Sequence, residues 1–97
     1  MSRRTRQCVP VQSDIVVVGI DVAKEEQTAV AVSGAEQEAK PLKFGFHQEG
    51  FEKLVRYASE AVRRWEARRF VAAMEPTGHY GLPLATWLEE RGVEVWL

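Results

Sequence analysis

The stretch Ile15-Val16-Val17-Val18-Gly19-Ile20-Asp21-Val22-Ala23-Lys24 organises the chain. Five of its first six residues are apolar, and β-branched Val and Ile dominate. That composition predicts a strand over 15–21, central in a sheet and buried on both faces. Asp21 ends it. A carboxylate is costly to bury unless it is paired, hydrogen-bonded or bound to a cation, so what Asp21 meets decides the chemistry.

On the C-terminal side, residues 22–26 read as a turn. Thr28-Ala29-Val30-Ala31-Val32 predicts a second strand, followed by a polar hairpin loop with Gly34 at its turn. Leu42, Phe44 and Phe46 recur with period two and predict a third strand with one buried face. Pro41 at its start is tolerated best on an edge. Phe51, Leu54, Val55, Ala58, Val62 and Trp65 then form a helical stripe, giving a helix from about 49 to about 67. Gln48 is a weak start signal for it. The second half of this helix is basic, with Arg56, Arg63 and Arg64. This reads as a solvated face or, less simply, as a phosphate-contacting one.

Phe70-Val71-Ala72-Ala73-Met74-Glu75 repeats the grammar of the first strand, an apolar run ended by a carboxylate. Pro76-Thr77-Gly78 breaks it. Leu84, Trp87, Leu88 and Arg91 mark a second helix, with Pro83 near its first turn and Gly92 as its stop. A fifth strand starts at Val93. The order β-β-β-α-β-α-β predicts an α/β fold, with an antiparallel meander leading into parallel crossovers in one mixed sheet. The run Val93 to Leu97 reads as the middle of a strand, so the expectation is a piece of a longer protein, truncated after its fifth strand.

The totals fit this outline. Ninety-seven residues bound one small domain, and 45% hydrophobic with 28% charged residues is ordinary for a globular chain. The net charge of -1 provides no global attraction to nucleic acid or membrane, so a nucleic-acid surface must be local. The single cysteine, Cys8, rules out an internal disulfide framework and fits a cytoplasmic location. No apolar run approaches a membrane span. Residues 1–13, with Arg3, Arg4 and Arg6, read as a basic flexible leader ahead of a domain over 14–97. Without an apolar segment after its arginines this leader does not fit a signal peptide.

If the first and fourth strands are parallel neighbours, Asp21 and Glu75 share the carboxyl end of the sheet, where α/β sites gather. Two close carboxylates repel, and a divalent cation removes that conflict. Mg2+ or Mn2+ prefers oxygen ligands and serves phosphoryl transfer. Two carboxylates are too few for a full two-metal site. The competing reading is structural: Asp21 caps the turn after it, and Glu75 pairs with Arg68, Arg69 or Lys24.

The segments Gly19-Ile20-Asp21-Val22-Ala23-Lys24 and Met74-Glu75-Pro76-Thr77-Gly78-His79-Tyr80 resemble the RuvC-like DEDD transposases of bacterial insertion sequences, relatives of Piv-type DNA invertases. The resemblance runs over residues 15–97. It implies a ribonuclease H-like (RuvC-like) fold, with Asp21 and Glu75 as the first two catalytic, metal-binding carboxylates. The remaining two aspartates, and the family's C-terminal domain, would lie outside this chain. The resemblance further implies metal-dependent DNA breakage and joining during transposition, with Mg2+ or Mn2+ as cofactor. The implied partners are DNA (element ends and target), a guide RNA in the parent protein, and further copies of the chain; no membrane is implied. The fragment alone is expected to be inactive and to bind metal weakly or not at all.

Lys24, Thr77, Gly78 and His79 are the candidate nucleic-acid contacts. Each also has a structural reading: an exposed turn lysine, a strand-to-helix turn, an ordinary surface histidine. Two alternatives stand beside the transposase reading. An actin-like ATPase or sugar-kinase half-domain also opens with a strand ending in Gly-Ile-Asp, but a Gly/Thr-rich phosphate loop normally follows it. A non-catalytic dimerisation module on the same fold is the other.

Overall fold

The computed structural model of the chain describes residues 14–23, 26–34, 37–74 and 81–96. It is a small α/β domain with a five-stranded mixed sheet and two helices. The elements are β1 (Ile15–Asp21), β2 (Glu26–Ser33), β3 (Leu42–Gly45), α1 (Gln48–Arg64), β4 (Arg69–Met74), α2 (Gly81–Glu89) and β5 (Glu94–Trp96). The sheet order is β3-β2-β1-β4-β5, so β1 is central as expected. β1 pairs with β2 antiparallel and β4 parallel; β2 and β3 are antiparallel, β4 and β5 parallel.

Pairing partners share a face, and the two faces differ. Val16, Val18 and Ile20 of β1 align with Ala31 and Ala29 of β2 and with Ala72 and Met74 of β4. These side chains form one cluster with Phe51, Leu54 and Ala58 of α1 and with Leu84 and Leu88 of α2. Both helices therefore cover the same side of the sheet, and the Phe51 and Trp87 rings meet edge to face at 5.4 Å between them. Leu54, Leu84 and Leu88 are fully buried, each contributing about 2 kcal/mol.

The opposite face carries Ile15, Val17, Gly19 and Asp21 of β1. Ile15 and Val17 are half-buried, and Gly19 and Asp21 are exposed. The expectation of a strand buried on both faces is corrected here: among the described residues, no helix covers this second side. Val71 is nonetheless fully buried there. It lies next to Glu94 in the ladder, and Glu94 accepts from Arg69 at 2.7 Å and from the Trp96 indole N–H at 2.7 Å. Those donors, Trp96 first and Arg69 second, hold the Glu94 carboxyl below its ordinary range. The cluster's stabilising contribution is thus complete above the ordinary carboxylate value and is lost as pH falls through the lowered one.

Element boundaries depart from expectation for local reasons. β2 starts at Glu26 rather than Thr28. Phe46 leaves β3 and packs its ring edge to face against Phe51 at 5.2 Å. The weak start at Gln48 is made good by the residue before it: the Gly50 N–H donates to Nδ1 of His47, the N-cap, at 3.1 Å. α1 stops at Arg64 rather than 67 because Glu66 turns left-handed at φ 56°. Gly92, at φ 83°, ends the second helical segment as expected. Where β3 no longer pairs with β2, the Tyr57 hydroxyl takes over. It accepts the Ala31 N–H at 2.9 Å and donates to the Lys40 carbonyl at 2.8 Å.

Gly19 sits mid-strand on the open face, and a Cβ there would meet nothing nearer than the Val30 carbonyl oxygen at 4.0 Å. Glycine in a strand interior costs about 0.5–1 kcal/mol relative to alanine. Gly19→Ala should therefore raise stability by about that amount in urea unfolding. A loss of similar size would mean that this face is more crowded than its exposure indicates.

Candidate functional site

Asp21 is the last residue of the central strand, exposed on the face that the helices leave open. Its carboxylate makes no hydrogen bond or ion pair to the described residues. The backbone beneath it is well held. Asp21 pairs with Thr28 across the antiparallel ladder, and Ile20 aligns with Met74 in the parallel one. Met74 is the last residue of β4, so the two apolar runs end level on adjacent parallel strands.

Glu75, Lys24, Thr77, Gly78 and His79 lie outside the described residues. What is described does limit the structural alternatives for the two carboxylates. Arg69 begins β4 and Met74 ends it, so Arg68 and Arg69 stand roughly 16 Å or more from the end that leads into Glu75 at about 3.3 Å per residue. Arg69 is also engaged with Glu94. The turn after β1 is not capped by Asp21 among the described residues. The Ala23 N–H instead donates to Oε1 of Gln27 at 2.7 Å.

Gln27 was not anticipated from the sequence. It is 0% exposed, the buried polar side chain among the described residues, and its Nε2 has no partner among them. The signal was a polar residue in phase with the inward-facing Ala29 and Ala31 of β2, hidden because the strand was expected to start one residue later.

The carboxyl ends of β1, β3 and β4 lie at one end of the sheet, and the N-terminus of α1 follows β3 there. A groove of about 470 Å³ opens at that end beside β3, lined by Lys43, Lys53 and Arg56 and by Glu26, Glu49 and Glu52. Its charges balance, so it is not an anion trap. Among the described residues no three His, Cys, Asp or Glu side chains cluster as a metal site. No helix there is long and apolar enough to cross a membrane.

A search of curated proteins found no match. Among solved structures, the chain is similar to a Ppx/GppA family protein from Aquifex aeolicus, with a TM-score of 0.42 and 10% identity. The alignment covers 84% of this chain and 34% of that one, so the chain spans about a third of that protein's length. The model of the IS110-type DEDD transposases, described as transposase, matches residues 18–97. That match begins inside β1 and takes in both Asp21 and Glu75, and it favours the transposase reading over the ATPase and dimerisation alternatives. The chain belongs to the IS110-type DEDD transposase family.

Proposed function

We propose that this chain supplies the first part of a ribonuclease H-like (RuvC-like) catalytic domain in a DNA transposase, with Asp21 and Glu75 as two of its four metal-binding carboxylates. The observation that carries this reading is the parallel register that sets Ile20 level with Met74. Asp21 and Glu75 are the next residue in each strand's sequence. The strand order, with an antiparallel meander feeding parallel strands, is the one the family resemblance implies.

The donor chemistry fits a hard divalent cation. Asp21 offers carboxylate oxygens not committed to any described residue, and its exposure leaves room for an ion that keeps several waters. Bound Mg2+ or Mn2+ would supply charge stabilisation for phosphoryl transfer at a DNA phosphodiester. The chain's own part is to present the oxygens: Asp21 ends the central strand, and Glu75 is the residue after Met74 in sequence. Its only other aspartate is Asp14. Asp14 precedes β1 at the opposite end of the sheet, where its carbonyl accepts the Arg68 N–H. The family resemblance assigns the remaining two carboxylates to aspartates of a later part of the family's domain, and Asp14 is not placed to be one of them. Lys24, Thr77, Gly78 and His79 follow the two carboxylates in sequence and are proposed to meet nucleic acid. In the intact protein the partners are element-end and target DNA, a guide RNA, and further copies of the chain.

The test is a strand-breakage assay with the intact protein on a plasmid carrying its own element. Breakage and joining should require Mg2+ or Mn2+ and stop in EDTA. ATP should make no difference. Undiminished breakage in EDTA would remove the metal from this account, and DNA-independent ATP hydrolysis would favour the ATPase alternative instead.

A further inference from the structure

We infer that Gln27 is a positioning residue for Asp21, acting through a buried amide clamp on the chain that leaves β1. The inference rests on the reading of Asp21 as a metal ligand. β1 is paired with β2 as far as Asp21 and with β4 as far as Ile20. Asp21 thus sits where the ladders run out, and a strand's last residue frays unless something beyond it is tied down. Ala23 is tied down. Its N–H donates to Gln27 Oε1 at 2.7 Å, which brackets Asp21 between the ladder behind it and the clamp ahead.

Gln27 does not touch the carboxylate. It lies on the helix-covered face with Ala29 and Ala31, whereas Asp21 lies on the open one. Its effect passes through the backbone.

The second observation is the cost of this arrangement. Gln27 is fully buried, and Nε2 has no partner among the described residues. A half-satisfied buried carboxamide is less stable than an apolar side chain of similar size. Methionine would fill the same space with no donor to satisfy. Packing alone therefore has no use for the amide, whose one hydrogen bond to a described residue goes to the segment just after Asp21. Local violations of core chemistry of this kind mark sites where stability is exchanged for geometry.

The experiment is NMR of the 97-residue chain titrated with Mn2+, a paramagnetic ion that broadens nearby amide signals even when bound weakly. Wild-type chain, Gln27→Met and Asp21→Asn are compared, together with thermal midpoints and amide exchange. Broadening should centre on Asp21 and Val22 in the wild type and vanish in Asp21→Asn. Gln27→Met should melt at the same temperature or higher, exchange its Ala23 amide faster, and need about tenfold more Mn2+ for equal broadening, the size of effect seen when support behind a ligand is removed. A wild-type Mn2+ response in folded Gln27→Met overturns this inference and leaves Asp21 as a ligand. No broadening in the wild type overturns this inference, since the clamp then holds no competent ligand in this chain; broadening that survives in Asp21→Asn overturns the metal reading itself and this inference with it. Gln27→Leu, of similar bulk, carries the same test should Gln27→Met not fold.

Discussion

Gly50→Ala should destabilise the domain by about 3 kcal/mol or more, although alanine is the better helix former. In an exposed helix interior the same change gains about 1 kcal/mol. Gly50 is the third residue of α1 and is buried, with its α-carbon against the end of β3. An added Cβ would overlap the Gly45 carbonyl oxygen and come within 2.9 Å of the Gly45 carbonyl carbon and nitrogen. All three are backbone atoms, which cannot swing aside as a side chain can. Relief requires the start of α1 to move off the sheet.

That movement breaks more than one contact. The Gly50 N–H is the donor to the His47 cap, and losing a cap costs about 1 kcal/mol. Phe51 is the next residue, and its ring meets the Phe44, Phe46 and Trp87 rings at 6.4, 5.2 and 5.4 Å. Overpacking of this kind costs about 1–3 kcal/mol, and the cap adds to it. For a domain of this size the thermal midpoint should fall by roughly 12 °C or more. Gly45→Ala is the contrast. Its Cβ would meet the His47 ring, the far end of a side chain, at 2.5 Å, and that ring can turn. Its cost should be smaller, and calorimetry of the two variants side by side checks the ranking. Equal or higher stability of Gly50→Ala would mean that α1 does not seat against β3 in this way.

The sheet could be read from the sequence wherever a single strand or stripe carried its own signal. β1 is an apolar run ended by a carboxylate, β4 an apolar run that a carboxylate follows in sequence, α1 shows its stripe, and Gly92 marks a turn that only glycine makes cheaply. What escaped reading depends on partners distant in sequence. The apolar run of β1 does not say that both helices choose the same side. Glu94, the ladder neighbour of Val71, is tied to Arg69 from 25 positions away. The His47 cap uses a ring nitrogen in place of the usual hydroxyl or carboxylate oxygen, so the capping pattern missed it. Phe46 continues the alternation of β3 in sequence, yet the chain bends before it to meet Phe51. The site divides along the same line. Asp21 and Glu75 could be proposed from the sequence because each closes an apolar run. Gln27 was not, because its meaning lies in which backbone it holds.

Asp21→Asn should abolish transposition by the intact protein while leaving the fold in place. Asparagine keeps the size and shape of the side chain and removes its charge. Asp21 is exposed and makes no hydrogen bond or ion pair to the described residues, so the stability change should stay within about 0.5 kcal/mol. Without metal the change should run toward greater stability if Asp21 and Glu75 share one site as proposed, because two close carboxylates repel. With metal the order reverses: a cation that binds only the folded state stabilises the wild type in proportion to its occupancy and does nothing for a variant that has lost its ligand. Mg2+ should therefore raise the thermal midpoint of the intact wild-type protein and leave that of Asp21→Asn unchanged. In catalysis the effect is far larger, since a bound cation is worth several kcal/mol of transition-state charge stabilisation. Losing about 4 kcal/mol slows the reaction about 10³-fold, below detection in a typical excision assay. Glu75→Gln should do the same if the two carboxylates hold one ion between them, and the double variant should be no worse than either alone, because the ion can be lost only once. Excision at the wild-type rate by folded Asp21→Asn would take the central strand's carboxylate out of the chemistry altogether.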